Sequence, residues 1–261
     1  MRVWSALGAL VLVCGLVVSV IEETSPNPGI RRAFADVFGN KHPASSPAAL
    51  KTRDSHGKGT VVMAVGGSSA QGYDDPHLDG YLSRALASVS SQLNIPIRFA
   101  NEAKSGDIPT MFAPQFDPLV VKVHPNIVIL GWGLLNSIAQ KVPESMFSRV
   151  IRAETIMALR AGASVWVVTP PATLATYVGP EVPLEPKYVN LEMAAAKSVH
   201  SPKVHVFNLF QAMKDYLTSH HLAYQPYVAN KWHLNQKGHI LAGKILANLI
   251  LSSKNKGGIP S

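Results

Sequence analysis

The sequence predicts an α/β domain of three layers, with a central parallel sheet of about five strands. Three observations carry this. Short, nearly continuous apolar runs recur along residues 59–253, stretches with helical spacing separate them, and each run ends in a polar or glycine-rich segment. Runs of that kind suit strands buried on both faces, and such sheets place their ligand sites at the carboxyl ends of the strands.

The first run is Thr60 to Val65. After it Leu78, Leu82, Leu86, Val89 and Leu93 fall on one face of a helix. Ile95 to Ala100 and Asn126 to Leu130 are the second and third strands. Met146, Val150, Ala153 and Met157 form the next helical stripe, and Ser164 to Thr169 follows as a strand stopped by Pro170 and Pro171. A helical stretch near residues 187–199 leads to the fifth strand, Val204 to Phe207. The last helix starts after Asn235, a suitable N-cap, and carries Leu241, Ile245 and Leu249.

Outside this domain the composition changes. Residues 3–21 are an uncharged apolar run between Arg2 and Glu22, long enough to span a bilayer as a helix. The exit, Val20, Ile21, Glu22, Glu23, has no small-x-small cleavage site, so residues 1–24 read as an uncleaved anchor in preference to a cleaved signal. The expected location is the cell membrane with an extracytoplasmic domain, or secretion if the segment is removed. Cys14 is the single cysteine and sits inside the run. No disulfide is therefore available to the domain. Residues 25–58, rich in Pro, Ser, Ala and basic residues, read as a linker, and 254–261 as a flexible tail. The net charge of +8 comes without a dense basic run or a nucleic-acid module, so no nucleic-acid partner is expected. Oligomeric state is not legible.

The first strand runs into Gly66, Gly67, Ser68, Ser69, Ala70, Gln71, Gly72. A phosphate-binding P-loop needs Lys and Ser/Thr after its last glycine, whereas Tyr73 and Asp74 follow here. The G-x-S-x-G elbow fails at Ala70. Gly66, Ser68 and Gly72 instead match three positions of G-D-S-L-x-x-G, with Gly67 and Ser69 departing from it. After the second strand, Asn101 to Asp107 reads N-x-x-x-S-G-D. After the third, Gly131, Trp132, Gly133, Leu134, Leu135, Asn136 stands where G-x-N-D would be. Near the C-terminus, Asn230, Lys231, Trp232, His233 matches D-x-x-H at the histidine and has Asn for Asp.

These blocks, in this order, resemble the SGNH (GDSL-like) serine hydrolases over residues 60 to about 251. The resemblance implies a flavodoxin-like three-layer sandwich and hydrolysis of carboxylic esters through an acyl-serine intermediate, with no metal or organic cofactor. It implies Ser68 as nucleophile, His233 as base, and an oxyanion hole from the backbone N–H groups of Ser68 and Gly106. Gly133 occupies the family's Asn position, so Asn136, one turn later, reads either as the amide donor or as a helix cap. Asn230 takes the place of the family's carboxylate, so either its amide or a backbone carbonyl of residues 228–232 is expected to orient His233. Asp74 and Asp75 read as helix caps, and Trp132 as either an acyl-pocket wall or a packing residue. The substrate class is a small-molecule, lipid or glycan ester. A non-catalytic domain that binds a glycan or assists envelope assembly is the competing reading, sustained by the departures at Gly133 and Asn230.

Overall fold

The computed structural model describes residues 59–76 and 79–254. The apolar run 3–21, the linker 25–58, most of the tail and Leu78 lie outside the described residues. Five parallel strands, β1 (Thr60–Gly66), β2 (Ile97–Asn101), β3 (Ile127–Gly131), β4 (Ser164–Val168) and β5 (Val204–Phe207), form one sheet in the order β2-β1-β3-β4-β5. Each pair is parallel; Val62 faces Ile127 across β1 and β3, and Gly66 faces Gly131 at their ends. The order reverses between β1 and β3. That switch point opens a crevice at the carboxyl ends of the two strands.

Among the described residues eight helices flank or cap the sheet: α1 (Ser68–Gln71), α2 (Gly80–Leu93), α3 (Pro109–Val123), α4 (Leu134–Ala139), α5 (Glu144–Arg160), α6 (Glu185–Lys197), α7 (Leu209–Ser219) and α8 (Gln236–Lys254). Period-two alternation divides the strand side chains between two cores. Met63, Val65, Val128, Leu130, Val165 and Val167 point to the face covered by Phe112, Phe116, Phe147 and Val189 of α3, α5 and α6. Val62, Ala64, Ile127, Ile129, Trp166 and Val168 point to the other, covered by Tyr81, Leu82, Met213 and Leu246 of α2, α7 and α8. Both faces are buried, which is why the strands read as unbroken apolar runs.

Four of these helices, the short α1 and α4 and the longer α3 and α7, are absent from the sequence reading. In α3, Pro114 and Pro118 suggest a break, yet the helix runs through both from Pro109 at its first position. Helix α7 follows β5 after one residue, Asn208, whose side chain accepts from the Gln211 N–H as an N-cap. The expected cap at Asn235 is present: its Oδ1 accepts the Gly238 N–H at 3.0 Å. Asp74 and Asp75 cap nothing. Helix α2 begins after Asp79, and Asp75 is buried in an ion pair with Arg84 at 2.7 Å.

Candidate active site

Gly66 and Gly131 sit side by side at the tops of β1 and β3. A Cβ on Gly66 would run into the Gly131 carbonyl and lie 2.8 Å from Ala70 Cβ. Only glycine lets the chain turn there into α1. Gly67 precedes the helix in extended conformation, and Gly72, at φ 91°, ends it by donating to the Ser68 and Ser69 carbonyls. Ser68 is thereby the first residue of a one-turn helix, and its N–H has no acceptor within that helix.

The Asn101–Asp107 segment is fastened to this turn. Lys104 N–H donates to the Gly66 carbonyl at 3.0 Å, Asn101 Nδ2 to the Ala70 carbonyl at 3.0 Å, and Ser105 N–H to Gln71 Oε1 at 2.9 Å. Gly106 follows at φ 88°, a left-handed conformation that favours glycine. Its N–H is bonded to no other described residue. A Cβ on Gly67 would lie 3.4 Å from both the Asp107 carbonyl and the Gly133 nitrogen. The three loops after β1, β2 and β3 thus meet at Ser68.

The fourth contributor is the loop before α8. Val228 bridges Leu234, and Ala229 N–H donates to the His233 carbonyl at 3.0 Å. Gly238 lets the helix pack against this loop, since a Cβ there would run into the Tyr227 carbonyl. His233 Nε2 lies 2.9 Å from Ser68 Oγ, across 165 residues of sequence. Tyr73 leans over the imidazole, its ring centroid 4.7 Å away. Burial holds the His233 pKa below its ordinary value, and the neighbouring Asp74 charge offsets part of that shift. A neutral imidazole hydrogen-bonded to a hydroxyl can take its proton.

The structure corrects the expectation for Asn230. Its Oδ1 accepts the N–H groups of Trp232 at 2.9 Å and His233 at 3.0 Å, and its Nδ2 donates to Asp74 Oδ2 at 2.7 Å. Both ends of the amide are engaged away from the imidazole. The atom facing His233 Nδ1 is Asp74 Oδ2, at 3.3 Å. That contact is long and poorly aligned, leaving Nδ1 without a well-formed hydrogen bond; such bonds often tighten only when substrate binds. Asp74 escaped the sequence reading because two adjacent aspartates before a helix look like caps. The available signal was Asn230 itself: an amide in place of a carboxylate leaves the charge to be supplied from elsewhere.

Asn136, on α4, is half-buried and lines a small cavity with Ser68, Gly133, Pro171 and Trp232, its side-chain amide bonded to no described residue. The cavity has a volume of about 20 Å³. Glu185, which no sequence signal marked, belongs to the same wall. It is 1% exposed, accepts from the Thr176 hydroxyl at 2.8 Å, and is pushed by burial to a pKa of about 7. Trp132 packs: it is fully buried against Phe112, and its Nε1 donates to Glu154 at 2.8 Å.

The strand order, a serine on the turn after β1 and a histidine on the loop before the last helix define an SGNH-type hydrolase. The chain belongs to the GDSL-like lipase/acylhydrolase family, whose sequence profile matches residues 64–241. Its fold is similar to that of LAE5, an α/β hydrolase enzyme from the metagenome of Lake Arreo, Spain, at 14% identity and TM-score 0.60, covering 76% of this chain and 95% of that one. It is also similar to Axe2, an acetylxylan esterase from Geobacillus stearothermophilus (14% identity, TM-score 0.59, 75% and 94% covered). TesA is a further neighbour (14%, TM-score 0.56, 73% and 98%). No curated protein matches the sequence.

Proposed function

We propose that this chain hydrolyses esters of short carboxylic acids, acetyl esters foremost, through an acyl-serine intermediate. The observation that carries the reading is the 2.9 Å contact between Ser68 Oγ and His233 Nε2 at the switch point of the sheet. In acylation Ser68 Oγ attacks the carbonyl carbon while its proton passes to Nε2; the C–O bond to the alcohol then breaks and the leaving oxygen takes that proton. In deacylation water repeats the sequence, and Ser68 recovers its proton. The developing oxyanion is received by the N–H groups of Ser68 and Gly106 and by the Asn136 amide.

The small volume beside Ser68 favours a short acyl group over a long aliphatic one. Esterase neighbours, an acetylxylan esterase among them, are consistent with this. The apolar run 3–21 and the linker 25–58 favour work at the cell envelope, on an O-acyl group of a glycan or another small ester. A non-catalytic role is disfavoured, because a binding module has no use for a serine and histidine in hydrogen-bond contact.

The test is hydrolysis of p-nitrophenyl acetate, butyrate and octanoate by wild type and Ser68→Ala. Wild type should prefer acetate over octanoate by about tenfold or more in kcat/KM, and Ser68→Ala should be inactive on all three. Equal turnover of octanoate would contradict the short acyl group. Activity persisting in Ser68→Ala would contradict the nucleophile.

A further inference from the structure

We propose that Asp74, delivered from the nucleophile's own loop, is the carboxylate that positions His233, and that Asn230 acts one step further out by holding Asp74. The inference rests on the reading of Ser68 and His233 as a catalytic pair. It moves the charge from the histidine loop, where the resemblance expects it, to the opposite wall of the site.

The Asn230 amide has only one workable orientation. Two backbone N–H groups converge on one end, at 2.9 and 3.0 Å, so that end must be the oxygen. The other end is then an NH₂ group, which cannot accept from His233 Nδ1–H. Asp74 Oδ2 can accept from both, lying 2.7 Å from Asn230 Nδ2 and 3.3 Å from Nδ1. A proton kept on Nδ1 leaves the Nε2 lone pair facing Ser68, and a carboxylate beside Nδ1 stabilises the imidazolium formed during attack.

The Asp74 loop is built to hold this place. Asp74 has φ 66°, a left-handed conformation uncommon outside glycine though tolerated by Asp. On one side the Tyr73 carbonyl contacts His239 Nε2 at 3.0 Å. On the other, Asp75 N–H donates to the Gly72 carbonyl and its carboxylate pairs with Arg84 at 2.7 Å. Other charged groups near His233 are already committed. Lys231, on its own loop, pairs with Glu181 at 2.8 Å, and Asp75 and Arg84 neutralise one another behind the loop. His239 and Tyr73 face the same loop, and Asp74 is left as the carboxylate facing the ring.

Asp74→Asn, Asn230→Asp and the exchanged double variant Asp74→Asn/Asn230→Asp test this in the full chain. The His233 pKa is read by NMR, with the resonance assigned by His233→Gln, and kcat/KM on p-nitrophenyl acetate is followed against pH. Asp74→Asn should lower kcat by about a thousand- to ten-thousand-fold. It should also move both the NMR titration and the acid limb of kcat/KM to lower pH, because a negative charge beside the imidazolium has been removed. The double variant should recover at least about tenfold of the loss, since the exchange returns a negative charge to the side chain that lies 2.7 Å from the Asp74 carboxylate. An unmoved His233 titration in Asp74→Asn, with its fold intact, would overturn the proposal. So would activity within about twofold of wild type. The NMR readout does not depend on turnover. If wild type hydrolyses no ester, the catalytic reading fails on its own, and the titration still decides whether Asp74 governs His233.

Discussion

Ser68 Oγ and His233 Nε2 meet at 2.9 Å because two glycine-dependent turns at opposite ends of the domain converge over the same strand ends. Gly66 releases the chain from β1 without striking Gly131, and Gly238 lets the last helix close on the loop that carries His233. The geometry of the pair is therefore inherited from backbone packing.

Gly66→Ala should disrupt the site without touching either side chain. The added Cβ meets the Gly131 carbonyl, a backbone atom in a sheet paired on both sides, and has no flexible neighbour to displace. Overpacking of this kind costs about 1–3 kcal/mol or more. A lowered melting temperature together with reduced turnover is expected; a variant as stable and as active as wild type would mean that the turn can relax.

Asn136→Ala should lower kcat on p-nitrophenyl acetate by about a hundred- to a thousand-fold, the usual consequence of losing one oxyanion donor, about 3–4 kcal/mol. The motivation is a half-buried amide in the cavity wall with no partner among the described residues. Stability should hardly change. Unchanged kcat would leave the oxyanion to the N–H groups of Ser68 and Gly106 alone.

The acid limb of kcat/KM should lie below pH 6.5. His233 works as a base only when neutral, so the rate falls as pH drops through its pKa, and burial holds that pKa beneath the ordinary imidazole value of 6.5. A kcat/KM profile placing the limb above 6.5 would mean that the free site is more open, or the Asp74 charge stronger, than this geometry provides.

Stability should fall as pH rises. Glu154 and Glu192 are fully buried beneath Trp132, and burial raises both carboxyl pKa values well above 4.5, with Glu154 adding to the rise at Glu192. An acid whose folded pKa is raised contributes its stability below the unfolded value, and loses it progressively as pH climbs towards the folded value. Glu192→Gln removes that loss. Its melting temperature should decline less than that of wild type between about pH 5 and about pH 8, as measured by calorimetry; parallel curves would contradict a proton held at this site.

The sheet was legible because both its faces are buried, which turns each strand into an apolar run, and β5 is found at the residues expected from sequence. Helix α3 was not, because Pro114 and Pro118 carry a local signal that tertiary packing overrides. At the site, Ser68 and His233 stood out through their places at a strand end and before the last helix. Asp74 did not, because its partners are 156 and 159 positions away and its left-handed backbone leaves no mark in a single sequence. Glu185 was invisible for a related reason. A glutamate on a helix reads as surface until the fold buries it.

The most direct measurement is covalent labelling of the wild-type chain with a fluorophosphonate, followed by mass mapping of the adduct. A single stoichiometric adduct on Ser68 is expected, lost in Ser68→Ala and formed far more slowly in His233→Ala. An adduct on any other residue, or labelling at the same rate without the imidazole, would contradict Ser68 as a nucleophile activated by His233.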